Sequence, residues 1–248
     1  MRILTNQIGS INSLLSSSID LYFASFSRLQ GLIGIQAGLQ ILIFFLPVSP
    51  VAGNGQPAAE DFNLFVLMLI IMGSLVSFLV SIGMVYRLDN FVNEREDSLP
   101  EALSAALGKL PIVLLTSIAY VLVSAAGLLL LIVPGVVLSG SLMFFMYFNL
   151  LESKGCIDSL KASHQLVWGN WWRTMTIQCV FPFAFILLLI PLYIIGITFQ
   201  FNIDTLQNIV NMLSIFFTPL MLSLGYTVYR DLKLRQSAAG NDDAGLAA

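Results

Sequence analysis

The sequence predicts an all-α integral membrane protein, with six transmembrane helices arranged as three hairpins and a cytoplasmic amphipathic elbow helix before each hairpin. Three observations predict it. Of 248 residues, 57% are hydrophobic and 10% charged, with a positive mean hydropathy, whereas an ordinary soluble domain carries about 25% charged residues. Next, five stretches contain no Asp, Glu, Lys or Arg. They hold 31 residues between Arg28 and Glu60, 25 between Asp61 and Arg87, 42 between Lys109 and Glu152, 30 between Arg173 and Asp204, and 25 between Asp204 and Arg230. Finally, the basic residues fall on one side of the spans those stretches define.

A bilayer core about 30 Å thick is crossed by roughly 20 helical residues. Four stretches therefore hold one span each, and the longest folds back on itself. The spans are expected at residues 29–46, 62–86, 111–132, 135–151, 175–199 and 207–229. All 11 bases then lie on one side. Arg2 and Arg28 precede the first span; Arg87, Arg95 and Lys109 lie between the second and third. Lys154, Lys161 and Arg173 lie between the fourth and fifth, and Arg230, Lys233 and Arg235 follow the sixth. By the positive-inside rule, both termini and both large loops are cytoplasmic. The net charge of −3 adds nothing, because Asp and Glu contribute little to topology.

Each hairpin is expected to enter the bilayer from an elbow helix. In the first elbow Ile11, Leu14, Leu15, Ile19, Tyr22 and Phe26 share a face; in the second, Leu99, Ala102, Leu103, Ala106, Leu107 and Leu110 do so, with Ser98 and Glu101 as a capping box. Asp158 is expected to cap the third, where Leu160, Val167, Trp168 and Trp171 form the apolar face. Helices of this kind, one-sided and too polar to span, lie at the headgroup level or under the bundle. Residues 32–46 follow a polar stretch too long and too weakly basic for a cleaved signal, so they are read as part of a span.

The outer connections are small. Residues 47–61, rich in Pro and Gly, form the one sizeable outer loop, and Val133-Pro134-Gly135 reverses the chain almost without one, because Pro134 ends one span and starts the next. The membrane domain covers residues 1–235. Residues 236–248 are small and polar without periodicity, so they are expected to form a disordered cytoplasmic tail.

Polar residues in and beside the spans are the candidates for function. Gln36 and Gln40 share a face of the first span, beside the small-xxx-small pair Gly34 and Gly38; Ser74, Ser77 and Ser81 recur at helical spacing on the second. Close helix packing with interhelical hydrogen bonds is the expected role, at roughly 0.6 kcal/mol each. A solute path lined by amides is the alternative. Pro182, Pro191 and Pro219 interrupt the last two spans, as packing kinks or as breaks that build a binding site. Tyr120 and Asn149 are the other polar residues deep in the spans. Glu152, where the fourth span meets the cytoplasm, is expected to pair with Lys154 or another base and to act as a hinge. Cys156 and Cys179 lie too far apart in this layout to pair.

The stretch SLKASHQLVWGNWWRT, residues 159–174, holds the single His and all three Trp residues. A metal site needs three or four ligands, and His164 has no second His to help it. Ser159, Ser163 and Asp158 lie too near His164 on one helix for triad geometry. The expected reading is an interfacial helix anchored by indoles, which favour the headgroup level.

Val133-Pro134-Gly135-Val136, then Glu152 and Gly155, Ser159 to Ser163, and Leu166-Val167-Trp168-Gly169-Asn170 resemble the stretch that marks the YciC family of bacterial inner-membrane proteins. The resemblance covers residues 97–175. It implies a bacterial cytoplasmic-membrane protein, loosely linked to envelope maintenance, with no assigned catalytic residues. Trp171-Trp172-Arg173 is richer in aromatics than that family's pattern. The expectation is thus a non-enzymatic protein of envelope or lipid homeostasis, without cofactor, metal or nucleic-acid partner. Its expected partners are membrane lipids, other membrane proteins or a second copy. A small transporter or channel for an uncharged or lipid-like solute is the alternative, and a membrane hydrolase using His164 a third class.

Overall fold

The computed structural model describes the backbone of residues 8–44 and 64–246. Among these, every regular element is helical: α1 (Ile11–Phe44), α2 (Leu64–Val92), α3 (Leu99–Leu130), α4 (Ile132–Leu142), α5 (Phe145–Leu151), α6 (Cys156–Val167), α7 (Trp171–Thr198) and α8 (Ile203–Leu246). Five segments are long and apolar enough to cross a membrane: Leu67–Val92, Leu99–Leu130, Ile132–Leu151, Trp171–Thr198 and Thr205–Ala239. The span expected at 29–46 is not among them. Gln30, Gln36 and Gln40 dilute it, and its last two residues, like the whole of the loop expected at 47–61, lie outside the described residues.

The first two elbows do not form separate helices. α1 runs unbroken through the expected joint near Arg28, and α3 runs through Pro111. Proline removes one intrahelical donor, but Ala106 and Val113 on either side of it are fully buried in one cluster with Ile82, Leu142 and Leu160. Packing on both flanks keeps α3 continuous. Its start is as expected: the Ser98 hydroxyl accepts from the Glu101 N–H, and the Glu101 carboxylate from the Ser98 N–H. The third elbow is a separate helix, α6, but Gly155 rather than Asp158 occupies its N-cap. It ends at Val167, so Trp168 and Trp171 do not extend its apolar face.

The buried stripe of α1 is Leu14, Ser18, Leu21, Ser25, Leu29, Leu32 and Gln36. Of the apolar face expected for the first elbow, Ile11 and Ile19 are exposed. Serine wins over isoleucine here because small side chains let helices approach closely; Ser18 and Ser25 return their hydroxyls to the Leu14 and Leu21 carbonyls.

A break falls where no proline predicts one. The fourth span divides at Met143–Phe144 into α4 and α5. Ser163 of α6 bridges the gap: its hydroxyl accepts from the Phe144 N–H at 3.1 Å and donates to the Ser141 carbonyl at 2.8 Å. Both freed backbone groups are thereby satisfied. By contrast, α7 continues through Pro182 and Pro191, and α8 through Pro219. α8 also remains helical to Leu246, through most of the expected tail; Gln236, Ala238 and Ala239 are good helix formers.

The principal core joins α1, α2, α5, α6 and α8 around Leu21, Leu29, Leu32, Val85, Leu88, Phe148, Leu224 and Tyr226. Elsewhere the surface is apolar. Leu129, Leu130, Ile132, Ile186, Leu187, Leu188, Ile194 and Ile197 are all exposed, far beyond the patches a water-soluble monomer shows. These faces need a solvent of hydrocarbon.

Contacts also fix how α1 lies. Leu32 packs at Gly83 and Gln36 bonds Ser77, so this half of α1 runs antiparallel to α2. Tyr226 of α8 reaches Asp89 on the same level of α2. The Gly9 N–H bonds Asp231, five residues beyond Tyr226. α1 packs on α8 more extensively than on any other described helix, and Leu14 and Leu21 share one core with Leu224, Val228 and Leu232.

Candidate functional site

Three carboxylates near one end of the bundle each take two cations. Asp97 accepts from Arg87 Nε at 2.9 Å and from Arg28 Nη1 at 3.3 Å. Asp231 Oδ2 accepts from Arg173 Nη1 at 2.7 Å and Arg235 Nε at 2.8 Å. Glu152 lies 2.7 Å from Lys233 Nζ and 3.1 Å from Lys154 Nζ, and Tyr229 donates to it at 2.5 Å. The aspartates are nearly inaccessible, at 2% side-chain exposure, against 25% for Glu152. Both lysines of the Glu152 group also lie over the Phe148 ring, an attraction between cation and ring quadrupole. Burial alone would raise the Glu152 carboxyl, but hydrogen bonds from Lys233, Tyr229 and Lys154 outweigh it and hold the group below the usual carboxylate range.

The Asp231 group joins three distant segments. Arg173 begins α7, Arg235 follows one turn after Asp231, and both guanidiniums donate to the Gly9 carbonyl, at 2.7 and 2.9 Å, while the Gly9 N–H donates to Asp231. Two positive charges face one negative charge here, leaving a local excess of one.

Beside this group lies a groove of about 830 Å3. One wall is the start of α4, with Ile132, Val133, Val136 and Val137; the other is the turn from Trp168 to Arg173. Gly169 makes that turn with φ +92°, a conformation that costs glycine little. The Trp171 ring is fixed by donation from Nε1 to the Val137 carbonyl at 3.2 Å and lies edge-on to Trp172. Trp168 and Trp172 are 63% and 80% exposed. The expected layout puts Val137 and Trp171 at opposite faces of the membrane; the hydrogen bond joins them, because the break at Met143–Phe144 frees α4 to turn toward α7.

A smaller recess of about 340 Å3 is lined by Leu39, Gln40, Gly73, Ser74, Ser77, Phe78 and Ser81. Gln36 does not open into it as a free amide, since its Nε2 donates to Ser77 Oγ at 2.7 Å. The bond joins α1 to α2. Gly34 and Gly38 are a different matter: a Cβ built at either meets nothing within 4 Å, so this pair packs against no other helix among the described residues.

The remaining expected residues scatter. Pro134 lies in the first turn of α4, and Gly135 packs on the Leu128 backbone. Glu152 pairs with Lys154, as expected, and with Lys233 of α8. His164 stacks on Trp168 at 4.9 Å between ring centroids, with Nδ1 buried and unpartnered. Pro191 is exposed in mid-α7. Tyr120 donates to the Ser139 carbonyl, and Asn149 to that of Lys154. Cys156 and Cys179 are free thiols.

Sequence reasoning missed Asp97, Asp231 and Arg173. The i, i+4 spacing of Asp231 and Arg235 was a legible signal; the contacts of Gly9 and Arg173, across 222 and 58 residues, left none. Among the described residues, no three His, Cys, Asp or Glu gather to hold a metal ion. Comparison of the chain with family models, curated proteins and solved structures finds no match.

Proposed function

We propose that this chain is a non-enzymatic, multi-pass protein of the bacterial cytoplasmic membrane, with both ends cytoplasmic, which supports lipid or envelope homeostasis through lateral contact with lipid. The observation that carries the reading is the open groove between α4 and the tryptophan turn. It has aliphatic walls and indoles at its mouth, the pairing of chemistries that suits a molecule with an apolar body lying at the bilayer interface.

Other features support the finer parts. Six of the 11 bases belong to the three carboxylate groups, two of which meet on α8 through Tyr229 and Asp231; this gathering of bases agrees with a single cytoplasmic face. The separate α6 suits an elbow that lies across the bundle end. The motif over residues 97–175 supports membership of the YciC family and its bacterial membrane.

Photo-crosslinking in intact cells from a reactive analogue placed at Trp168 tests the reading. Lipid adducts are expected. A saturable flux of a soluble solute through purified protein in liposomes would overturn it in favour of a second reading, a small transporter. That reading draws on the recess around Gln40, Ser74, Ser77 and Ser81, and Gln40→Leu would then abolish the flux.

A further inference from the structure

We propose that the groove between α4 and the tryptophan turn selects anionic phospholipid, with the headgroup phosphate at Arg173 and an acyl chain along Ile132, Val133 and Val136. This deepens the lipid-contact reading and rests on it. Three independent features meet in the groove. Its aliphatic wall belongs to a hairpin tip that is 73–74% exposed at Ile132 and Val133, so no other described helix covers it. Trp168 and Trp172 stand exposed at its mouth, and indole rings settle at the headgroup level, which places the mouth beside phosphates. Arg173 lines the same groove and belongs to a group in which two guanidiniums share one carboxylate.

The charge balance decides which lipid. A zwitterionic headgroup neutralises its own phosphate and gains little from the excess positive charge. An anionic headgroup supplies the missing negative charge, and a guanidinium suits phosphate oxygens in geometry as well as sign. The indole of Trp171, held by Val137, keeps the aliphatic wall and the arginine at a fixed separation.

All three tryptophans lie in this segment, so intrinsic fluorescence reports on the groove alone. The intact protein would be reconstituted in phosphatidylcholine vesicles containing a small, equal mole fraction of either dibrominated phosphatidylglycerol or dibrominated phosphatidylcholine. Bromine quenches indole on contact. The anionic probe is expected to be enriched about fivefold over its bulk fraction, the effect of one basic residue near an anionic surface. Arg173→Gln should remove the enrichment. Because that change also disturbs the Asp231 group, Val136→Phe provides a second arm: it fills the apolar wall, leaves the arginines paired and should equally remove the enrichment while circular dichroism is unchanged.

Equal quenching by the two probes would overturn the selectivity and leave general lipid contact standing. Quenching by neither would overturn both, since the turn would then lie outside the bilayer. Loss of the enrichment on adding inorganic phosphate at constant ionic strength would mark a site for free phosphate and overturn the lipid assignment.

Discussion

The indole N–H of Trp171 donates to the carbonyl of Val137 at 3.2 Å, tying the first residue of α7 to the middle of α4. The bond satisfies the indole N–H, on a carbonyl that also accepts from Ser141 Oγ at 2.7 Å, and it orients the ring that forms one side of the groove between α4 and the tryptophan turn. Trp171→Phe keeps an aromatic ring, though a smaller one, and deletes the donor. A loss of about 1 kcal/mol is expected, read from unfolding in mixed micelles, together with a blue or red shift of the two remaining tryptophans as the turn relaxes. An unchanged unfolding midpoint and spectrum would show that the bond holds nothing in place.

The carboxylate groups differ in burial, and that difference predicts unequal costs. Asp231 and Asp97 are at 2% side-chain exposure, each with two cations. Removing the charge leaves two guanidiniums without their counterion in a poorly solvated place, at about 3–5 kcal/mol. Glu152, with 25% exposure, can recruit water, so Glu152→Gln should cost no more than about 1 kcal/mol. The order Asp231→Asn well above Glu152→Gln, measured by denaturant titration in the same micelles, is the checkable result.

Glu152 also makes stability depend on pH. Its carboxyl is held below the usual range in the folded protein by Lys233, Tyr229 and Lys154, against the opposing effect of burial. The folded state thus binds this proton more weakly than the unfolded chain. Its contribution is complete above the unfolded value, about 4.3, and vanishes as pH falls through the lower folded value. Unfolding midpoints of the native protein and Glu152→Gln should therefore differ at neutral pH and converge in acid. Subtracting the two curves removes titration of the other carboxylates, and a difference that grows in acid would contradict the sign.

Gly135 and Gly34 differ in what a side chain would meet there. A Cβ at Gly135 would lie 2.5 Å from the Leu128 nitrogen and 2.6 Å from its Cα, backbone atoms that cannot step aside. Gly135→Ala is expected to destabilise the hairpin of α3 and α4 by about 1–3 kcal/mol, the usual cost of overpacking. Gly34→Ala meets nothing and, within a helix, should be neutral or stabilising by up to about 1 kcal/mol. Thermal unfolding of the two variants side by side distinguishes these outcomes.

What the sequence revealed and what it hid divide along a physical line. Apolar length and capping are local properties, so the long apolar helices and the Ser98–Glu101 cap were legible. The break at Met143–Phe144 was not, because Ser163, which satisfies it, lies 19 residues away from Phe144 and on another helix. Pro182, Pro191 and Pro219 sit in helices that stay continuous, which the packing-kink reading allows and the broken-helix reading does not, since one missing donor is tolerated where packing or neighbouring turns compensate. Of the groove, Trp168 and the neighbouring indoles stand out in the sequence. Its aliphatic wall meets them and Arg173 through contacts that only the folded chain brings together.

Orientation yields the remaining prediction. Every basic residue lies outside the five uncharged stretches, and moving one to the bilayer centre costs about 2.5–3.5 kcal/mol on insertion scales. The division of the fourth span into α4 and α5 leaves the argument intact, because a hairpin that enters and returns keeps the following residues on the same side however deep its tip reaches. Reporter fusions after Lys109, after Lys161 and after Arg235 should therefore all report the cytoplasm, and a fusion within residues 47–61 the opposite side. Adding lysines to that outer segment should erode the asymmetry and yield a mixed population. A carboxy-terminal reporter found outside the cell would require an odd number of crossings, and the proposed cytoplasmic placement of the Asp97, Glu152 and Asp231 groups would then have to be abandoned.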